Sequence, residues 1–316
     1  MTEIGYALSS EEHPPNDLVR FAVQAEATGF TFAAISDHYH PWIDAQGQSP
    51  FVWSVIGAIA HATSSLRLGT GVTCPSFRIH PAIVAQAAAT AAAMMPGRFF
   101  LGLGSGENLN EHILGDHWPP APVRQEMLGE AVEIIRRLWE GGYQSFDGTY
   151  FTVENARLYT LPDQAPPIVI AAGGPSSAEL AGRLADGLWS VAPKPDLIEK
   201  YREAGGRGEV YGQVKMCWAA DEEAARQTVL KYWPNAGIGG ELSQELPLPR
   251  HFEQAAALVT SDDLAAKVTM GPDPEPYLEK IKAFVDAGFD NVYLHQIGPD
   301  QDGFFDFCKR EILPRL

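Results

Sequence analysis

The sequence predicts a parallel (β/α)8 barrel, a TIM barrel of the α/β class, with insertions. Three observations carry this. Short apolar runs alternate eight times with longer segments of helical period, the pattern of a parallel sheet covered by helices. No G-x-G-x-x-G follows a predicted strand, and Gly102-Leu103-Gly104-Ser105-Gly106 has the wrong spacing for an open dinucleotide-binding sheet. The length of 316 residues suits one such barrel.

Ile4–Leu8 reads as the first strand, and Asn16 is expected to cap a helix reaching Thr28. Phe32–Ile35 and Leu66–Val72 are the next strands, with helices over Phe51–Ala62 and Ala82–Met95. Pro96-Gly97 punctuates before the strand Phe99–Leu103. Leu128, Val132, Ile135 and Leu138 are in helical phase within Val123–Trp139. Ile168–Ala171, Leu188–Val191, Val214–Trp218 and Asn291–His295 complete the strands, and Phe304–Ile312 is the last helix. Residues 1–316 are expected to form one barrel domain with insertions at about 143–161 and 233–269. The first insertion has the turn Asp147-Gly148 between β-rich runs, as in a hairpin.

Hydrophobic residues make up 45% of the chain, enough for a large core. Lys plus Arg total 23 against 40 Asp plus Glu, a formal net charge of −17 that disfavours nucleic acid and anionic membranes as partners. Cys74, Cys217 and Cys308 are far apart and form no C-x-x-C, so no disulfide framework or zinc knuckle is expected. Met1–Tyr6 lacks a basic segment followed by an apolar one, and no apolar run has transmembrane length. A cytoplasmic protein is expected.

Catalytic residues of barrels sit at the C-terminal ends of the strands. The unusual polar residues fall there. After strand two, His38 stands beside Asp37, and a carboxylate can orient an imidazole as general base. Trp42 adds a flat surface or an indole donor. After strand four, Ser105 and Gly106 precede Glu107, with Asn110 following; glycine lets backbone approach a ligand, and Glu107 can act as an acid or bond a heteroatom. After strand five, Ala172, Gly173 and Gly174 run into a helix, where free N–H groups attract phosphate. His295 ends strand eight. The pair His38 and His40 can also be read as metal ligands, but His295 is the one further histidine at a strand end, too few for a site, so no metal is expected.

Ser36–Trp42, Leu68–Pro75 with Phe77-Arg78, Gly104–Glu111 and Ala171–Gly174 together resemble the coenzyme F420-dependent oxidoreductases of the luciferase-like superfamily, near the glucose-6-phosphate dehydrogenase group. The resemblance runs nearly end to end. It implies a homodimeric barrel holding the deazaflavin at its C-terminal face. It places Asp37 on the ring system and a non-proline cis peptide at Gly71–Val72, beside Thr73. It lines the ring and ribityl chain with Ser105, Gly106, Glu107 and Asn110, and cradles the phosphate in Ala172, Gly173 and Gly174. His38 would take the hydroxyl proton of an alcohol, Glu107 would serve the ring nitrogen, and Trp42 would steady the reacting species. Lys194 matches the first substrate-phosphate lysine of the sugar-phosphate enzymes and Lys267 lies near the second, and both, with His295, are expected to bind substrate. The matching arginine region reads Asp300-Gln301-Asp302-Gly303, and Asp302 would repel a phosphate, so a neutral alcohol, sugar derivative or carbonyl compound is expected instead of glucose 6-phosphate. The alternatives are an FMN-dependent monooxygenase, a metal-dependent hydrolase on His38 and His40, and a flavin-binding relative without chemistry.

Overall fold

In the computed structural model, which describes residues 2–316, β1 (Glu3–Leu8), β2 (Phe32–Ile35), β3 (Arg67–Thr70) and β4 (Phe99–Leu103) pair in chain order, all parallel. An antiparallel hairpin of β5 (Gln144–Asp147) and β6 (Thr152–Ala156) stands apart from them, within the first predicted insertion. The sheet resumes with β7 (Ile168–Ala171), β8 (Gly187–Ser190) and β9 (Val210–Cys217). The short β10 (Thr269–Met270) pairs with β9, and β11 (Asn291–Gln296) closes the ring between β9 and β1. Eight parallel strands thus form a closed barrel, the fold class that the strand–helix alternation predicts.

Helices α1 (Pro15–Thr28), α2 (Val52–Ala62) and α3 (Pro81–Met94) follow the first three strands. The connection after β4 holds α4 (Asn108–Glu111) and then α5 (Ala121–Trp139). Helices α6 (Pro175–Leu184), α7 (Pro195–Glu203) and α8 (Glu222–Tyr232) follow β7, β8 and β9. The second insertion folds as α9 (Leu242–Glu245), α10 (Pro249–Ala256) and α11 (Ser261–Ala265), before α12 (Glu275–Asp286) and α13 (Gln301–Phe307) flank β11. Among the described residues no helix is long and apolar enough to cross a membrane.

Proline, in place of a capping side chain, sets the starts of α1, α6, α7 and α10. α1 begins at Pro15, so Asn16 lies inside the first turn instead of capping it, and α6 begins at Pro175. The fixed φ and missing N–H of proline suit that first turn. The last helix begins at Gln301, ahead of Phe304, because Asp300 accepts the Gly303 N–H at 2.9 Å, and it widens to a π-helix over Cys308–Ile312. His13 is buried and meets the edge of Phe21 at 5.0 Å.

The main core lies between barrel and helices; from α1, Leu18, Phe21, Ala22 and Ala25 face it at helical spacing. A second cluster fills the barrel itself, with Phe32, Phe100, Trp189, Tyr211 and Tyr293 at its centre. Trp189 stacks on Tyr211 at 5.5 Å and donates its indole N–H to the Tyr293 hydroxyl at 3.0 Å. Two strand glycines make room for these rings. A Cβ at Gly5 would lie 2.5 Å from the Phe32 ring, and one at Gly69 would run into Phe100. The aromatic layer is a rigid floor, and the polar side chains above it face a cavity.

Candidate active site

His38 follows β2 and is 9% exposed. Its Nε2 lies 3.4 Å from Glu11 Oε1, and its Nδ1 lies 3.1 Å from the His40 carbonyl and 3.2 Å from Asn110 Nδ2. The carboxylate beside His38 is therefore Glu11, from the turn after β1, and not Asp37. Consecutive side chains leaving a strand point to opposite sides, so Asp37 is carried away from the His38 ring. Glu11 also accepts hydrogen bonds from Ser36 Oγ and, at 3.2 Å, from Ser9 Oγ. Burial pushes the Glu11 carboxyl up, but the opposing effects of His38 and Ser36 hold it below its ordinary range. A ring that donates Nδ1–H to His40 has a free lone pair on Nε2. Once protonated, that same nitrogen faces the Glu11 carboxylate.

Asp37 belongs to a second network. It accepts from Thr73 Oγ1 at 2.7 Å and pairs with Arg78 at 2.8 Å, with both partners of the ion pair nearly buried. Glu111 lies on the other side of Arg78, accepting its backbone N–H at 3.0 Å with the guanidinium Nε at 3.8 Å. Burial raises the Glu111 carboxyl to about 7 against the pull of Arg78. Arg78 Nε has no hydrogen-bond partner among the described residues.

Two cavities open at this face. The smaller, of about 160 Å³, is bounded by Asp37, Ser105, Gly106, Gly173 and Ser177 among others. The larger, of about 420 Å³, is bounded by Glu11, His38, Trp42, Lys215, Trp233 and His295 among others. Val72, Glu107 and Ala171 line both, and form the wall between them. The Gly71–Val72 peptide is cis. Gly106 has φ +82° and a Cβ there would lie 2.7 Å from Cys74 Sγ, so the position demands glycine. A Cβ at Gly173 or Gly174 would meet no protein atom within 4 Å, so a side chain there would stand in the open cleft. Ala172 is buried behind them and donates its N–H to the Trp189 carbonyl at 2.8 Å.

Asn110 lines neither cavity; its Oδ1 accepts the Tyr39 and His40 N–H groups at 2.9 and 3.2 Å, which turns its Nδ2 to His38 and, at 3.4 Å, to Glu107. Trp42 lies 4.9 Å from the His38 ring and packs on Phe252 of α10 at 5.2 Å. His40 turns its Nδ1 to the Leu109 carbonyl at 2.8 Å while His38 faces Glu11, and among the described residues no group of His, Cys, Asp or Glu could hold a metal ion.

The lysines are redistributed. Lys194 is exposed at the start of α7, and Lys267 is exposed with its ammonium donating to the Ala236 and Gly237 carbonyls at 2.9 and 3.2 Å. Neither lines the larger cavity, whereas His295 and Lys215 do. Asp302 is also outside it, paired with Arg20 on the surface at 2.8 Å, so it exerts no close repulsion there. Three functional candidates escaped the sequence reading. Glu11 and Glu12 follow β1 after Ser9 and Ser10, and the strand-end rule applied to that first strand would have found them. Lys215 alternates with the buried Val214 and Met216 on β9, a polar residue on the barrel-facing register.

The family model described as luciferase-like monooxygenase matches residues 1–291. The chain belongs to this family. Among the relatives of this family member is an F420-dependent glucose-6-phosphate dehydrogenase of Microbacterium testaceum, 36% identical over 99% of this chain and 96% of the relative. The enzyme of the same name from Mycobacterium avium is 35% identical over 99% of this chain and 98% of its own. Among solved structures, an F420-dependent secondary alcohol dehydrogenase in complex with an F420-acetone adduct superimposes with a TM-score of 0.92 at 35% identity, covering 99% of this chain and 98% of that one. A coenzyme F420-dependent tetrahydromethanopterin reductase of Methanopyrus kandleri shares the fold at a TM-score of 0.82, covering 99% of both chains at 24% identity.

Proposed function

We propose that this luciferase-like family member uses its smaller cleft for the ring of coenzyme F420 and its larger cavity for an alcohol, sugar or carbonyl substrate. The enzyme is an F420-dependent oxidoreductase, as its full-length similarity to F420-dependent dehydrogenases supports. The observation that carries the two-cavity reading is the shared wall of Val72, Glu107 and Ala171, which brings a cofactor and a substrate face to face.

The cleft fits the cofactor. Gly104 and Gly106 keep its wall close to the backbone, Gly173 and Gly174 leave its mouth open, and Ser177 lines it with a hydroxyl near the α6 N-terminus. In this reading Asp37, Val72, Ser105 and Gly106 hold the ring region, and Gly173 and Gly174 the phosphate; Thr73, expected at the cofactor, is instead fully buried behind Asp37 and lines neither cavity. Bound in the cleft, F420 would supply the hydride chemistry at the substrate carbon. The chain moves the proton. His38 Nε2 takes it from the substrate hydroxyl, the His40 carbonyl holds Nδ1–H, and Glu11 stabilises the imidazolium. Trp42 packs the substrate against that ring, and Glu107 faces the cofactor from the dividing wall. Asn110 holds the Tyr39 and His40 backbone behind His38.

Glucose 6-phosphate itself is disfavoured. With Lys194 and Lys267 outside the lining, Lys215 is the only lysine or arginine among the described residues that faces the larger cavity, and a dianion there would be undercompensated. An apolar groove that includes the exposed Phe51, Ile83 and Met94 of the α2–α3 face supports a homodimer, which sedimentation would test. The three buried free thiols suit the reducing cytoplasm.

Titration with F420 and, separately, FMN, read by tryptophan fluorescence, tests the assignment. Binding of F420 followed by its reduction in a screen of alcohols is the expected result. Binding of FMN alone, with oxygen uptake, would replace this reading with the monooxygenase one.

A further inference from the structure

Lys215 has no part in the proton path so far described. Its register partner across β9 and β11 is His295, so both side chains enter the barrel at one level, above the aromatic floor. Among the described residues its ammonium makes no ion pair and no hydrogen bond; it faces the Trp233 ring, with Nζ 5.8 Å from the centroid. Burial lowers its affinity for the proton, and the Glu11 charge opposes that. A half-buried cation that borders a cavity and has no protein partner among the described residues is favoured by a ligand that brings an acceptor to it. Glu11 ties the two groups together, because the carboxylate nearest His38 is also the charge that favours the ammonium.

We infer that Lys215 is a catalytic residue, whose ammonium contacts the substrate oxygen on the carbon that exchanges hydride. This rests on the assignment of the larger cavity to substrate and of His38 as base. In the oxidation, the O–H bond breaks and its proton passes to His38 Nε2. The C–H pair leaves as hydride to the cofactor, and the oxygen lone pair forms the C=O bond. Lys215 keeps its three protons throughout and balances the charge the oxygen carries between those events. In the reverse direction it polarises the carbonyl. One such fixed group aimed at a developing oxyanion is worth about 10²–10³ in rate. A single cation matches one developing oxyanion, which suits a neutral alcohol or ketone better than a phosphate ester.

The test uses the full-length chain with F420 and a neutral secondary alcohol found by the screen. Lys215→Met is expected to lower kcat about 10²-fold. Its F420 affinity should stay within about twofold of the parent, since Lys215 is not part of the smaller cleft. Lys215→Cys treated with 2-bromoethylamine rebuilds an ammonium of nearly lysine length and should regain most of the lost rate. The parent protein under the same treatment controls for its own buried thiols. Lys215→Met keeps most of the side chain's bulk without its charge, so a side chain needed only for packing would lose little rate in that variant. The inference is overturned if kcat on the neutral alcohol is unchanged, if only KM for anionic substrates rises, or if alkylation restores nothing. Failure of the parent protein to bind F420 would instead sink the oxidoreductase reading.

Discussion

The two cavities share one wall but are built in opposite ways. Around the smaller, the charged groups are locked: Asp37 is held by Thr73 and Arg78, Arg78 is shared with Glu111, and all three charged residues are nearly buried. Around the larger, the titratable groups have room to change state. The His38 ring has a carbonyl, an amide and a carboxylate at its edges, and Lys215 has no fixed partner among the described residues. A region that positions a ligand needs charges that cannot move, and a region that transfers protons needs groups with a partner in each protonation state.

The sharpest way to break this contrast is at His38. His38→Ala is expected to lower kcat by about 10²–10⁴-fold while F420 affinity, measured by fluorescence titration, stays near the parent value. Equal losses in both would show that the cavities do not divide the labour. Arg78→Met should have the converse effect. It leaves Asp37 buried without its counter-charge and Glu111 without its neighbour, so urea unfolding should show a loss of about 3–5 kcal/mol, with weakened F420 binding. A change under 1 kcal/mol (roughly the worth of an exposed pair) would mean that the network is not the rigid element described here.

Glu111 sharpens the comparison through pH. Its folded value of about 7 lies above the ordinary 4.5. Between those values the unfolded chain releases the proton while the native state retains it, so this group makes stability fall as pH rises through that window. The contribution is on the order of 3 kcal/mol. Glu111→Gln should flatten that part of the stability profile relative to the parent. Identical profiles for both proteins would place its titration elsewhere. The smallest effects belong to the surface lysines. Lys194→Ala and Lys267→Ala should each change KM for a neutral substrate by less than about twofold, because neither side chain lines the larger cavity. A larger rise in KM in either variant would bring that lysine back to the substrate.

Much of the fold was legible because period and punctuation are local properties. Phe32–Ile35 and Phe99–Leu103 occupy the strands expected of them, and the Asp147-Gly148 turn does join a hairpin. The errors fell where a local rule had two readings. Asn16 is a good capping residue, but Pro15 before it claims the first turn. Lys267 sits at a plausible spacing for a ligand, yet its ammonium is taken up by two carbonyls of the second insertion.

By itself the sequence determined the barrel, the strand ends at which chemistry gathers, and the residues His38, Trp42 and Glu107 that face the larger cavity. Pairing across the barrel was decided only by the tertiary structure. Glu11 meets His38, and Glu12 meets His295 at 3.2 Å, over separations in the chain that no local pattern encodes. Closure of the sheet sets the ends of β1, β2 and β11 side by side, and alternation along each strand decides which side chains look inward. The proposed base can therefore be named along the chain, but the carboxylate beside it is chosen by the neighbouring strand.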